Sequence, residues 1–132
     1  MIAGIGIDSI EIARVAEKCD NRDSRFKDKM FTELERRRSS RNQYQPYQHL
    51  AACFAAREAF YKATQIWYRR QEVSVTQEPS GKPCFVLSER VKKELGGRRV
   101  ELSLTHDDTY ATAMVVCEDT LGRDALGEER LG

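Results

Sequence analysis

Two acidic residues, Asp8 and Glu58, are the first candidates for chemistry in this 132-residue chain, because each stands beside an apolar stretch. Asp8 follows the apolar run of residues 2–7, and Glu58 lies in the alanine-rich segment of residues 49–63. A charge buried in such surroundings needs a partner or a metal ion. Magnesium binds one or two carboxylates together with phosphate oxygens and water. One interpretation is therefore that Asp8 and Glu58 hold a hard divalent cation beside a phosphorylated substrate.

Both acids also have a purely structural interpretation. Residues 9–12 resemble the start of a helix, so Asp8 would serve as its N-cap. Glu58 and Lys62 are one helical turn apart and would form an ion pair on a solvated face, worth roughly 0.2–0.5 kcal/mol. Because the two acids are far apart in the sequence, their spacing does not decide between these interpretations.

A strand and a helix must position the two acids. The isoleucines of residues 2–7 suit a strand, and Gly4 and Gly6 allow another backbone to approach closely. The central segment predicts a helix from about residue 47 to residue 68, since alanine is the best helix former and a mostly apolar helix is normally buried. Near its end, Trp67 is expected to pack on the core.

The remaining pattern places helices early in the chain and strands later. Thr32 and Glu35 form a capping-box pattern before a helix over residues 33–40. Pro79 and Gly81 set a turn inside a hairpin. The other expected elements are helices over residues 9–19, 25–30 and 88–95, and strands over 73–75, 84–87, 100–104 and 110–117. The pattern predicts an α+β fold: one domain over residues 1–118, a long central helix packed on an antiparallel sheet, and a polar, flexible tail over 119–132.

Composition excludes several classes of protein. No stretch is long and apolar enough to span a membrane. The N-terminal residues lack the features of a secretory signal, so the expected location is cytoplasmic. The four cysteines and two histidines show no zinc-ligand spacing, and the thiols are expected to be reduced. Net charge is only +1 and the basic residues are interleaved with acids, which argues against a nucleic-acid partner and for an acidic protein partner.

Four motifs in order along residues 1–117 resemble one family, the holo-[acyl-carrier-protein] synthases. Residues 4–8 (GIGID) match the opening motif, and residues 54–63 (FAAREAFYKA) are similar to the second motif. Residues 80–83 (SGKP) resemble the family's hairpin turn, and residues 102–107 (LSLTHD) resemble its third motif. The chain is thus identified as a 4′-phosphopantetheinyl transferase of the short type.

The resemblance implies a reaction and a set of site residues. Such enzymes transfer the phosphopantetheine arm of coenzyme A to a serine of apo acyl carrier protein, in fatty acid biosynthesis, with polyketide and other carriers left open. Asp8 and Glu58 would hold Mg²⁺, with Mn²⁺ as the alternative, and Lys62 would complete the catalytic set. The family also implies a homotrimer with active sites between subunits. Coenzyme A would contact Lys62, Lys82, Pro83, Thr105 and His106, and the carrier would dock on Arg14, Arg22, Arg25, Phe26 and Lys29.

Three positions depart from the family pattern. Arg57 stands where lysine is commoner, Thr105 replaces the usual serine before His106, and residues 63–70 contain no glycine where many members have a Gly-Thr-Gly loop. In that segment, Arg69 and Arg70 are the candidates to reach phosphates instead. Two other functions stay open: a non-catalytic module that binds coenzyme A or a carrier protein, and a magnesium-dependent phosphohydrolase acting on a nucleotide.

Overall fold

The structure is a computed structural model, and it describes residues 1–20, 25–41 and 45–119. Five helices and five strands occur in these ranges, in an α+β arrangement. The helices are α1 (Ile12–Asp20), α2 (Arg25–Met30), α3 (Glu33–Ser40), α4 (Pro46–Thr64) and α5 (Glu89–Leu95), with a short 3₁₀ turn at Arg70–Glu72. The strands are β1 (Ile2–Glu11), β2 (Val73–Gln77), β3 (Pro83–Leu87), β4 (Arg99–His106) and β5 (Tyr110–Glu118).

The strands form two antiparallel sheets. β5 lies between β1 and β4 in a three-stranded sheet, with Asp8 opposite Ala113 and Leu104 opposite the same residue from the other side. β2 and β3 form a separate hairpin, in which Val75 pairs with Phe85. The expectation of a long helix on an antiparallel sheet is confirmed.

Helix α4 packs directly against β1 because neither element carries bulk at the crossing. A Cβ added to Gly4 would fall on the carbonyl oxygen of Ala63, and one added to Gly6 would fall on that of Ala59. The close approach predicted for the two glycines is therefore confirmed. Since side chains alternate along a strand, Asp8 extends from the same face of β1 as Gly4 and Gly6, towards α4.

Three local predictions are wrong. The strand predicted to end at residue 7 continues to Glu11, because its last residues still pair with β5, so α1 begins at Ile12 and Asp8 is not its N-cap. Helix α4 ends at Thr64 rather than residue 68, with Gln65 in the left-handed region at φ 58°. Trp67 does not pack on the core but is 68% exposed.

Other local signals behave as expected. Thr32 and Glu35 form the predicted capping box at the start of α3, and Ser88 caps α5. The thiols of Cys19, Cys53 and Cys117 are buried, and all four cysteines are free. None of the described helices is long and apolar enough to cross a membrane. Strand β5 ends at Glu118, the domain bounds of residues 1–118 stay a prediction, and the tail predicted over 119–132 lies, beyond Asp119, outside the described residues.

Candidate active site

Asp8 and Glu58 line one cleft, although they come from different elements. Asp8 extends from β1 towards α4, and Glu58 stands on the exposed side of α4. The cleft has a volume of about 280 Å³ and is open to solvent at one side. The structure thus brings together two acids that lie at positions 8 and 58 of the sequence.

Lys62 is held next to Asp8 by two contacts. Its ammonium donates to the carbonyl oxygen of Ile7 at 2.9 Å and to the Asp8 carboxylate at 3.1 Å. The structural alternative, an ion pair between Glu58 and Lys62 along the helix, is therefore wrong, since the lysine reaches across to β1 instead. The result is a group of one cation and two acids at the crossing of β1 and α4.

The donor set of this cleft suits a hard divalent cation. Both candidate ligands are carboxylates, which magnesium and manganese prefer over softer metals. Among the described residues, no group of three His, Cys, Asp or Glu side chains could hold a metal ion. The remaining ligands would then be phosphate oxygens and water, which is how magnesium is commonly bound beside phosphorylated substrates.

The other wall of the cleft carries residues expected to dock a carrier protein. Arg14 and Phe26 line the same cleft as Asp8 and Glu58, together with Lys18, whose ammonium lies 5.4 Å from the centre of the Phe26 ring. Phe26 also packs edge-on against the buried Phe31, so its ring contacts the core on one side and lines the cleft on another. Arg25 and Lys29 are exposed on α2, and Arg22 lies outside the described residues.

The residues expected to contact coenzyme A do not all meet within one chain. His106 and Pro83 line a second cavity of about 290 Å³, together with His49, which the sequence analysis missed. Burial and the nearby Arg38 guanidinium lower the pKa of His49. The signal that could have found it is its place in the first turns of α4, where the positions one turn further along (Ala52, Cys53) are small.

Lys82 and Thr105 do not line that cavity, although Lys82 lies between Gly81 and Pro83, which do. The Lys82 ammonium contacts the Glu101 carboxylate at 2.6 Å, and this hydrogen bond raises the lysine pKa. Thr105 is exposed and stands opposite Thr112, whose hydroxyl is hydrogen-bonded to that of Ser9 on the sheet face away from α4. The predicted coenzyme A residues of the chain therefore do not share one surface.

Arg57 has a structural role, although it lies in the motif that also carries Glu58 and Lys62. It is buried, and its guanidinium donates to both carboxylate oxygens of Glu35 at 2.5 and 2.6 Å and to the carbonyl oxygen of Met30. Glu35 also accepts a hydrogen bond from the backbone N–H of Val75 at 2.8 Å. Arg57 thus joins α4 to α3 and β2 and faces away from solvent, while its neighbour Glu58 faces the cleft.

The glycine-free segment after α4 is held by side-chain contacts. Arg70 donates to the carbonyl oxygen of Asp28 and lines a small cavity of about 160 Å³ that Glu58 also lines. Arg69 lies on the other side of Trp67, in a cleft shared with Arg90. Of the two arginines predicted to reach phosphates, only Arg70 is near Glu58.

Comparison with known proteins finds one family. The family model of the 4′-phosphopantetheinyl transferase superfamily matches residues 4–115. A holo-[acyl-carrier-protein] synthase of Koribacter versatilis is 36% identical over 126 residues, covering 90% of this chain and 100% of that protein.

Solved structures give the same result for the fold. The crystal structure of a holo-[acyl-carrier-protein] synthase from Neisseria meningitidis has a TM-score of 0.79 at 29% identity and covers 90% of this chain and 100% of that one. The Bacillus anthracis enzyme, solved in complex with CoA (3′,5′-ADP), has a TM-score of 0.75 at 30% identity, with 91% and 99% covered.

Proposed function

The chain belongs to the 4′-phosphopantetheinyl transferase superfamily, and from this premise we propose that it moves the 4′-phosphopantetheine group of coenzyme A onto a serine of apo acyl carrier protein. The other product is adenosine 3′,5′-bisphosphate (3′,5′-ADP). The observation that carries the proposal is that Asp8 and Glu58 line one cleft together with Arg14 and Phe26, while Lys62 contacts the Asp8 carboxylate. Coenzyme A is the phosphorylated substrate that this charge set suits.

Asp8 and Glu58 are the residues that would hold Mg²⁺, with Mn²⁺ as the alternative. The ion, when bound, neutralises the charge that develops on the diphosphate oxygens. The two carboxylates fix its place relative to β1 and α4, whose close packing at Gly4 and Gly6 leaves little freedom. Positioning of this kind supplies most of the catalysis in phosphoryl transfer.

Lys62 would act as a point charge on the leaving side of the reaction. Its ammonium is half exposed and contacts Asp8 at 3.1 Å, so it can move towards a phosphate oxygen without leaving a buried charge unpaired. The attacking hydroxyl belongs to the carrier serine. A carboxylate of the cleft accepts its proton, and the chain itself needs no nucleophile.

The carrier would dock beside the cleft on α1 and α2. Acyl carrier proteins are acidic, so the exposed cations Arg14, Arg25 and Lys29 would raise the encounter rate and set the orientation. We expect Arg14→Glu to raise the KM for carrier by about tenfold while the affinity for coenzyme A is unchanged. Lys93→Glu on α5 is the control. Equal losses for carrier and coenzyme A would contradict a docking role.

In a homotrimer, residues of neighbouring subunits would together form the coenzyme A site. The sheet face away from α4 exposes Ile5, Ile7 and Met114, an apolar patch of the kind that marks contacts between proteins. Thr105 is exposed in the same sheet, so a neighbouring subunit could bring it near the cleft. Sedimentation of the wild type and of Ile7→Lys tests the assembly, and a monomeric wild type at micromolar concentration would contradict it.

One assay separates the candidate functions. Purified protein is mixed with apo acyl carrier protein of fatty acid biosynthesis, coenzyme A and Mg²⁺, and the carrier is weighed by mass spectrometry. A gain of one phosphopantetheine group supports transfer. An unchanged carrier with tight coenzyme A binding indicates a binding module, and release of free phosphate indicates a hydrolase.

A further inference from the structure

Beside Glu58 the surface opens into another cleft, of about 300 Å³, lined by Glu58 and the three aromatic rings of Tyr61, Trp67 and Tyr68. We call it the aromatic cleft. Trp67 is 68% exposed and Tyr61 is 42% exposed. Exposed aromatic rings gathered around a concave surface are typical of ligand sites, where most of the lining is apolar and a few polar groups fix orientation.

The rings of the aromatic cleft are held on fixed backbone. Ile66, just before Trp67, is buried in the core, and Arg90 donates to the Trp67 carbonyl oxygen at 2.8 Å. The Tyr68 hydroxyl donates to the carbonyl oxygen of Arg57 at 2.7 Å, and its ring packs edge-on against Phe60. The Tyr68 ring and the backbone that carries Trp67 are therefore preorganised, which lowers the entropy lost on binding a ligand.

We propose that the aromatic cleft binds the pantetheine arm of coenzyme A; this inference rests on the proposed function. In the transfer, a bond forms between the serine oxygen and the phosphorus that bears the arm. The bond from that phosphorus to the bridging oxygen breaks, and 3′,5′-ADP leaves with the electron pair. The serine proton passes to a carboxylate of the cleft between β1 and α4.

The geometry of that reaction leaves a third direction for the arm. The attacking and leaving oxygens lie roughly in line through the phosphorus, so the oxygen of the arm must point sideways. The wall with Arg14 and Phe26 faces the carrier, and the cavity with Pro83 and His106 is the candidate for the nucleotide. The aromatic cleft shares Glu58 with the first of these and no lining residue with the second, so it offers the arm a separate surface next to Glu58.

The lining also favours the arm over the nucleotide. Of the four described residues around the aromatic cleft, Glu58 alone is charged, and it is acidic. Because none of the four is a lysine or arginine, the lining offers a 3′-phosphate no cationic partner, and in the proposed function Glu58 is already engaged with the metal ion. The arm beyond its phosphate is neutral, with a dimethyl group and two amides that can lie against aromatic rings.

Fluorescence tests the proposal without relying on turnover, because Trp67 is the only tryptophan of the chain. With Mg²⁺ present, we titrate coenzyme A, 4′-phosphopantetheine and 3′,5′-ADP separately. The expected result is a shifted or quenched Trp67 emission with the first two ligands and an unchanged one with 3′,5′-ADP. A response to 3′,5′-ADP but not to 4′-phosphopantetheine, or no response at all, would overturn the proposal. So would the emission of a buried indole before ligand is added, which would show that another subunit covers Trp67.

Kinetics separate this inference from the proposed function. Trp67→Ala is expected to raise the KM for coenzyme A about tenfold, and Trp67→Phe to restore most of the affinity. Val86→Ala, at an equally exposed apolar position of β3, is the control. A wild type that transfers normally beside a Trp67→Ala variant with unchanged KM refutes the aromatic cleft alone. A wild type that transfers nothing refutes the proposed function.

Discussion

Helix α4 carries two cations, Arg57 and Lys62, and each is paired with an acid from another element. The pair of Arg57 with Glu35 is buried, with side-chain exposures of 5% and 0% and two charge-assisted hydrogen bonds. The pair of Lys62 with Asp8 has exposures of 50% and 19% and a single contact at 3.1 Å. Both cations come from one ten-residue motif, and each faces a carboxylate, so the type of charge does not distinguish the two pairs.

The difference teaches that burial decides which charges hold the fold and which are free to act. Glu35 and Arg57 cannot change partners, because either charge left alone in the interior would lose its compensation. Lys62 and Asp8 can exchange their contact for a phosphate oxygen or a cation at little cost, since solvent reaches both. Arg57 and Glu58 are neighbours in sequence yet belong to opposite sides of this division.

The largest effect is expected on the exposed side. Asp8→Ala and Glu58→Ala should each lower the rate of transfer by about a thousandfold or more, because several kcal/mol of charge stabilisation in the transition state would be lost. The free energy of unfolding should change by less than about 1 kcal/mol, as for most surface substitutions. Single-turnover kinetics measure the rate of transfer, and urea unfolding of the same preparations measures the stability. A variant that loses stability and activity together would break the comparison.

Substitutions in the buried pair should lower stability more than they lower the rate of transfer. Glu35→Ala leaves the Arg57 charge without its partner and should cost about 3–5 kcal/mol in the free energy of unfolding. The matched control is Glu33→Ala on the same helix, whose carboxylate pairs with exposed Arg37 at 2.7 Å and should contribute no more than about 0.5 kcal/mol. Urea unfolding measures both. Equal costs for Glu33 and Glu35 would remove the distinction between the pairs.

A smaller effect is expected from the cation of the exposed pair. Lys62→Met should reduce the rate of transfer by about a hundredfold, the usual cost of one well-placed charge donor. The loss should fall on kcat more than on the KM for coenzyme A, because the charge acts on the leaving group. Lys62→Arg should recover part of the rate, since the charge returns in a different geometry. An unchanged kcat in Lys62→Met would show that Lys62 does not contribute to the chemical step.

Local signals predicted much of the fold. The Thr32–Glu35 capping box, the Gly-Pro hairpin turn and the Ser88 cap depend on nearby residues, and each element forms where the pattern places it. The close approach at Gly4 and Gly6 was also readable, because only glycine lets another backbone come so near.

Tertiary contacts decided what local patterns missed. Residues 9–12 resemble the start of a helix, yet Ile10 pairs with Ala111 and keeps β1 extended. The end of α4 has no glycine signal, since Gln65 adopts the left-handed conformation itself. Nothing in the sequence joins Glu35 to Arg57, so their ion pair and the exposure of Trp67 emerge only from the packing of α3, α4 and β2.

The most direct measurement is the binding of coenzyme A by calorimetry with and without Mg²⁺. In the wild type we expect magnesium to strengthen binding, because Asp8 and Glu58 would hold the ion against the diphosphate. In Asp8→Asn and Glu58→Gln this gain should vanish, while Glu33→Gln keeps it. The same magnesium-dependent gain in all four proteins would contradict the assignment of the two acids.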